Sequence, residues 1–468
     1  MDTRRRISLP LHPLPSPQRA TEHRRVVLVD FHWTRDKDPR VPLGHASLLA
    51  ALTAQLTLDV RSLVIPVNRP GSDASSVVRS ILAATRDSAP STVDVAFGAY
   101  VWGESLLRDV LRRLRSAGFR GRIIVGGPQV SYASEGLEQL YPEADAFIRG
   151  YGEHALTELA STAERRDIPG VHLRGELDRG AQAKVDLESL PSPWLGSIVN
   201  VPASGFVRWE TQRGCPFRCA FCQHREAGAR LPRRTLSRTR IQEEIDMFCD
   251  LGVTDIAVLD PIFNLGPHAV EVLERFATRG FRGRLSLQCR AEGMRPEFLD
   301  AAAQLNVCLE FGLQTIHEDE GRAVDRRNDI ARVDRTLAAV RERGIAHEVS
   351  LIFGLPHQTL ASFQESVDWC LERRVPVLKA FPLLLLRGTA LERDRARWGL
   401  CATDGEMPLV THSNTFTHED WRQMARLSDA LRLTEGNHPT TIEALVARSA
   451  GLEPDLFRWL PDANEVAA

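Results

Sequence analysis

The 468-residue sequence predicts an α/β protein: a doubly wound parallel sheet, a second series of strand-helix units, and a small helical region after it. Three observations carry this prediction. Short, continuously apolar runs alternate with helix-length runs between residues 26 and 148, six further strand-helix units follow between 207 and 381, and the rhythm stops after about residue 396. Buried strands alternating with helices indicate parallel pairing, because each crossover needs a helix-length connection.

Residues 1–23 combine Arg4, Arg5 and Arg6 with Pro10, Pro13, Pro15 and Pro17 and lack any period, the pattern of a disordered tail. Residues 24–165 form the first domain, with strands expected at 26–29, 94–97, 122–125 and 145–148 and helices at 43–56 and 106–117. Ligands bind such sheets at the carboxyl ends of the strands. Gly126-Gly127-Pro128 and Gly150-Tyr151-Gly152-Glu153 stand at two of those ends, where glycine lets backbone approach a ligand, although a tight turn uses glycine equally well. Residues 166–205 turn polar and proline-rich and read as a linker. Residues 206–395 hold the second series, with strands near 207–211, 255–259, 285–289, 308–312, 348–353 and 377–381. Six units are too few for a closed eight-stranded barrel. Residues 396–468 carry helix-like runs with Trp421 and Trp459, which fit either a helical cap over the barrel mouth or ordinary helix packing.

The composition, 43% hydrophobic and 26% charged, is that of a globular protein. A net charge of -2 gives no global basic field for a nucleic-acid partner or a membrane surface, and no apolar run reaches the roughly 20 residues of a membrane span. A cytoplasmic, reducing setting is therefore expected. Lys37, Lys184 and Lys379 are the only lysines, while the arginines are spread along the chain, a compositional bias rather than a phosphate site.

Three of the eight cysteines, Cys215, Cys219 and Cys222, fall in one run, Glu210-Thr-Gln-Arg-Gly-Cys-Pro-Phe-Arg-Cys-Ala-Phe-Cys222. A four-iron cluster normally takes four cysteines, so three leave one iron free for another ligand. A structural zinc site needs four closed ligands, and only His224 stands near enough to be the fourth. An odd count and the absence of a signal peptide argue against disulfides. Cys249, Cys289, Cys308, Cys370 and Cys401 are scattered and read as small core residues.

The spacing C-x3-C-x2-C, with the aromatic Phe221 before the last cysteine, resembles the hallmark of the radical S-adenosylmethionine (SAM) superfamily. The resemblance implies that Cys215, Cys219 and Cys222 are the metal-binding, catalytic thiolates of a 4Fe-4S cluster and that SAM chelates the fourth iron. It also implies a partial TIM-like (β/α)6 barrel. An electron from a flavodoxin- or ferredoxin-type donor would then release a 5'-deoxyadenosyl radical. At the strand ends, Asp260 with nearby backbone carbonyls stands where the family recognises the SAM amino group. Arg290 would pair with the SAM carboxylate or, equally, with Glu292. Glu310 and Gln314 would contact the ribose, Ile352 and Gly354 would pack on the adenine, and Arg326 would lie close to SAM. Lys379, inside an apolar strand, must find a partner or lose its charge, facing either the substrate or solvent.

The Rossmann-like first domain, with Pro42-Leu43-Gly44, Gly126-Gly127-Pro128 and the glycines of 149–153, resembles the cobalamin-binding domain of cobalamin-dependent radical SAM enzymes. That makes Gly126, Gly127, Gly150 and Gly152 candidate cobalamin contacts. Many such domains carry D-x-H-x-x-G, whose His ligates cobalt. Here Asp30-Phe-His32-Trp-Thr-Arg35 has Arg in place of the Gly, so His32 is either that ligand or a polar loop residue. The implied reaction is methylation of an unactivated carbon in a small molecule or natural-product intermediate, with cobalamin remethylated by a second SAM. A radical rearrangement or cyclisation without methyl transfer stays open, as does a tRNA-modifying protein, which would need a basic, aromatic-bearing patch.

Overall fold

A computed structural model describes residues 24–35, 41–161, 167–202, 205–223 and 234–452. The expected N-terminal tail, His224 and Trp459 lie outside the described residues. The first sheet comprises β1 (Arg24–His32), β2 (Leu58–Pro66), β3 (Val93–Gly98), β4 (Arg122–Gly126), β5 (Ala146–Ile148) and β6 (Val171–Leu173), in the order β2-β1-β3-β4-β5-β6. Pairing is parallel throughout except between β5 and β6. Its helices are α1 (Leu43–Thr53), α2 (Ala74–Ala84), α3 (Glu104–Ser116), the single turns α4 (Pro128–Ser131) and α5 (Leu137–Leu140), and α6 (Gly152–Ser161). Alternation along β1 explains the double winding. Val27, Val29 and Phe31 pack with Ile81 of α2 and Leu111 of α3, whereas Val26 and Leu28 pack with Leu52 of α1 and Leu156 of α6. The chain reverses direction across the sheet between β1 and β3, which opens a crevice at their carboxyl ends.

Two strands of this sheet escape a reading of apolar runs. In β2 the half-exposed edge carries Asp59 and Arg61, which break the run. β6 lies inside the stretch read as a linker, and that reading is corrected. Residues 167–199 form a strap in which Ile168 and Ala183 enter the first core while Val185, Leu187, Leu190 and Trp194 enter the second. Its apolar residues stand singly among prolines and polar residues, so they show no period.

The second sheet contains β7 (Phe206–Trp209), which leads to a two-stranded ribbon of β8 (Gln212–Arg213) and β9 (Arg234–Thr235). It continues with β10 (Asp255–Val258), β11 (Arg284–Cys289), β12 (Asn306–Gln314), β13 (Ala346–Phe353) and β14 (Val377–Pro382). The order is β14-β13-β12-β11-β10-β7, all parallel, and β7 and β14 do not meet, so the six strands make an open, partial barrel. Helices α7 (Arg238–Asp250), α8 (Ala269–Thr278), α9 (Pro296–Ala302), α10 (Glu318–Ala323), α11 (Ile330–Glu342) and α12 (Leu360–Glu372) connect the strands. Leu309, Phe311 and Leu313 of β12 are buried in the core, and the alternate residues Glu310, Gly312 and Gln314 occupy the half-open inner face.

After β14 come α13 (Ala390–Arg393), α14 (Arg395–Trp398), the hairpin β15 (Cys401–Ala402) and β16 (Val410–His412), α15 (His418–Leu433) and α16 (Ile442–Ser449). The two long helices do not cap the barrel mouth, and that expectation is corrected. Ser428 of α15 donates to the Ala380 carbonyl at 2.7 Å and Asp368 of α12 accepts from the Ile442 amide at 3.0 Å, so both extend the barrel's helical layer.

The two sheets are tied by a buried carboxylate. Glu104, in the first turn of α3, accepts two 3.0 Å hydrogen bonds from Arg387 beyond β14, and others from Tyr141, Gln129 and Arg108 at 2.7, 2.9 and 2.8 Å. Burial alone would raise its pKa, but Arg387, Tyr141 and Arg108 hold it below the ordinary carboxylate value. Truncation leaves Arg387 half-buried without its partner. Glu104→Ala is therefore expected to destabilise the chain by about 3 kcal/mol, and an unchanged thermal-denaturation midpoint would contradict this.

Candidate active site

Cys215, Cys219 and Cys222 lie on the loop that follows β8, and none is in a disulfide. The loop is fixed at several points. The Ala220 amide donates to the Val324 carbonyl at 2.7 Å, the Ala220 carbonyl accepts from Leu391 at 3.0 Å, and Gln223 donates to the Arg387 carbonyl at 2.8 Å. Burial pushes the Cys215 thiol up and nearby Cys219 adds to the rise, while Arg326 and Arg290 act against it. Arg326 Nη1 stands 3.8 Å from Cys219 Sγ, and the Arg290 guanidinium lies 4.0 Å over the Phe217 ring inside the loop. Three cysteines outside any disulfide, with the guanidiniums of Arg326 and Arg290 at their loop, suit an anionic iron-sulfur centre.

The residues read from the strand ends gather around this loop in different ways. Asp260 is fully buried and accepts from the Thr211 and Gln212 amides at 2.8 and 3.2 Å and from the Thr211 hydroxyl. Desolvation nonetheless moves its pKa to about 7. Its carboxylate braces the residues ahead of the cysteine loop. Arg290 does pair with Glu292, at 3.3 Å, and donates to the Arg327 carbonyl at 2.7 Å; its backbone exchanges two hydrogen bonds with the Asn264 side chain. Glu310 and Gln314 share the inner face of β12. Gln314 has φ +72° beside an irregularity in the β12–β13 register, and its buried Oε1 has no hydrogen-bond partner. Arg326 donates to the Gly312 carbonyl, and its buried Nε is also without a partner.

Ile352 is half-buried on the inner face of β13, and Gly354 follows with φ +95°. The Gly354 amide donates to Gln358 Oε1 at 2.7 Å, and Gln358 donates to buried Glu320, which also accepts from Thr315 and Ser362. Lys379 finds its partner within the barrel, donating to Glu348 at 2.6 Å.

A cavity of about 510 Å³ opens at the carboxyl ends of β1, β3, β4 and β5. Gly126, Gly127, Gly150 and Gly152 all line it. Gly127 has φ +92° and a Cβ there would stand 2.9 Å from Ala99 backbone; Gly150 has φ +81° and a Cβ would stand 2.5 Å from the Ala183 carbonyl oxygen. Asp30, His45 and Tyr100 are on the same wall, whereas His32 is not among the lining residues. Asp30 is 5% exposed, and burial raises its pKa to about 7. His45 Nδ1 lies 3.9 Å away and its Nε2 is 2.8 Å from Ser62 Oγ; burial lowers the His45 pKa to about 4, with His32 adding to the effect. Burial, Asp30 and Glu153 raise the Tyr100 phenol. The far wall comes from the barrel half, just beyond β7 and β10, from β8 and from the cysteine loop: Glu210, Arg213, Gln223 and Leu259. Neither Arg213 nor its partner Glu153 is marked by a periodic pattern, and the usable signal was a charged pair, Glu210 and Arg213, three apart just before the first cysteine.

In this fold the crevice of one parallel sheet faces a cysteine loop on a partial barrel. A radical SAM superfamily model matches residues 209–370, and a B12 binding domain model matches residues 39–160. The chain thus carries a radical SAM domain and a B12-binding domain, which imply a 4Fe-4S cluster, SAM and cobalamin as cofactors. The cobalamin-dependent radical SAM methyltransferase TokK of Streptomyces tokunonensis is 28% identical over 313 residues, 59% of this chain and 44% of that protein. The 2-(S-pantetheinyl)-carbapenam-3-carboxylate methyltransferase of Streptantibioticus cattleyicolor is 26% identical with the same coverage. The chain therefore spans under half the length of both relatives. In fold it is similar to TsrM from Kitasatospora setae, solved with cobalamin and a four-iron, four-sulfur cluster, with a TM-score of 0.65 at 20% identity over 86% of this chain and 81% of that one. No helix among the described residues is long and apolar enough to cross a membrane.

Asp30 gives this site a pH signature in the ligand-free protein. Its folded pKa, near 7, exceeds the ordinary value of 3.8, so the folded chain keeps a proton that the unfolded chain releases. That contribution to stability is complete below about pH 4 and is lost as pH rises through 7. Asp30→Asn, which cannot ionise, is expected to exceed the parent at pH 8 by up to about 4 kcal/mol and to show no such advantage at pH 4. Denaturant melts at the two pH values check this.

Proposed function

We propose that the protein is a cobalamin-dependent radical SAM C-methyltransferase acting on a small-molecule or natural-product intermediate. The observation that carries this reading is the shared cavity, walled on one side by the strand ends of the first sheet and on the other by Glu210, Arg213 and Gln223, which flank the three cysteines. The methyltransferase relatives support it.

In this reading Cys215, Cys219 and Cys222 hold the cluster, and Arg326 and Arg290 offset its negative charge. Gln314, with its unpartnered carbonyl oxygen, and Glu310 are offered to the ribose hydroxyls on the inner face of β12. Ile352 and Gly354 form an apolar rest for the adenine, and the Glu320–Gln358 pair holds the Gly354 turn in shape. Gly126, Gly127, Gly150 and Gly152 let the corrin approach the backbone. When bound, the cluster supplies the electron that cleaves SAM, and cobalamin supplies a transferable methyl group. The chain's own task is to align these partners and keep water out. The electron comes from a flavodoxin- or ferredoxin-type donor in a reducing cytoplasm.

Anaerobic reconstitution with iron, sulfide and hydroxocobalamin is expected to give iron-sulfur and corrin absorbance in one protein, and a cluster without corrin bands would defeat the methyltransferase reading. Cys219→Ala is expected to abolish the cluster absorbance while cobalamin still binds. Gln314→Ala should weaken SAM about tenfold in equilibrium dialysis without changing the cobalamin content.

A further inference from the structure

One side chain touches both halves of the site. Arg213 stands two residues before Cys215, and its Nε and Nη2 form a fork on Glu210 at 2.9 and 2.7 Å. Its Nη1 donates to Glu153 Oε1 at 2.7 Å, and Nη2 also reaches Ser47 Oγ at 3.2 Å. Ser47 donates in turn to that same Glu153 oxygen at 3.0 Å, and the guanidinium lies 5.3 Å from the centre of the Tyr151 ring. Glu153, 5% exposed, opens α6 directly after Gly150 and Gly152; Ser47 sits on α1, whose first turn contributes Gly44 and His45 to the cavity wall. The cavity's two supporting helices and the cysteine loop thus share one guanidinium.

The backbone beneath it is held from the opposite side. Asp260, at the end of β10, binds the Thr211 and Gln212 amides. Arg213 is therefore anchored through its main chain by the barrel and through its side chain by the cavity wall. Of the two carboxylates on it, Glu153 is buried and Glu210 half-buried, a setting where an unpaired charge would be costly. A lysine, a point charge on a flexible stem, cannot bridge them with fixed geometry.

We propose that Arg213 is the positioning residue that couples the corrin cavity to the cluster loop, so that a filled cavity fixes the loop and an assembled cluster tightens cobalamin binding. The proposal rests on the reading that the cavity takes cobalamin and the loop a cluster. Linkage makes the effect mutual: whatever affinity the cluster adds at the cavity, cobalamin adds at the loop.

The test uses the full chain, reconstituted anaerobically with iron and sulfide and titrated with hydroxocobalamin, as parent, Arg213→Lys, Arg213→Gln and Glu153→Gln. Glu153→Gln keeps the Arg213–Glu210 fork and so guards against a variant that does not fold. One readout is the cobalamin dissociation constant with and without the cluster. The other is the electron paramagnetic resonance of the reduced cluster beside cob(II)alamin, because the mutual broadening of two paramagnets depends on their separation and orientation. In the parent the cluster is expected to tighten cobalamin binding about tenfold. In all three variants cluster and cobalamin still bind, the tenfold difference is lost, and the broadening becomes heterogeneous. A Glu153→Gln protein with the parental difference and spectrum overturns the proposal. A parent that loads both cofactors with independent affinities overturns the proposal alone, whereas a parent that takes a cluster and no cobalamin overturns the functional reading and the proposal together.

Discussion

A carboxylate buried between two domains must be met there by a cation, and the junction of this protein is organised around two such encounters. Glu153 meets Arg213, and Glu104 meets Arg387. In each case the acid lies on a helix of the first sheet's layers, α3 or α6, and the base on the barrel side, in β8 or beyond β14. The bases sit at either end of the cysteine loop: Arg213 leads into it, and the Arg387 carbonyl receives Gln223 just after it. The loop therefore inherits its position from the contact between sheets as much as from its own short sequence.

Parallel topology makes such an arrangement available. Every strand of the second sheet, and five of the first, end at the same edge of their sheet, so two crevices can be set face to face. The inner face of the partial barrel then differs from a closed barrel core. It carries Glu310, Gln314, Glu348 and Lys379 where a sealed barrel would be filled by branched apolar side chains. The polar lining is satisfied locally where it lies deep, as in the Lys379–Glu348 pair, and left open at Gln314, whose buried Oε1 has no partner.

What could be read from the sequence follows from range. Runs such as 26–29 and 122–125 announce buried strands because every residue in them is apolar. β2 does not, since Asp59 and Arg61 point out from a sheet edge. The cysteines declare themselves through spacing that a single loop must satisfy. Gly126, Gly127, Gly150 and Gly152 could be placed at strand ends from the sequence, and all four line the cavity. By contrast, the partners of Arg213 and Arg387 lie 60 and 283 residues away, and no local pattern encodes such a meeting. Asp260 taught the complementary lesson. Its place at a strand end was readable, but which way a buried carboxylate turns depends on Thr211, almost fifty residues earlier.

The strap of residues 167–199 bears on how such a chain can change over evolutionary time. It donates Ile168 and Ala183 to one core and Val185, Leu187, Leu190 and Trp194 to the other, and it supplies the first sheet with an antiparallel strand. Exchange of the B12-binding half by recombination at a point near residue 165 would strip apolar cover from both partners at once. The heritable module is then the sheet together with its strap, and the seam along which new pairings can be tried lies closer to β7 than the end of α6 suggests.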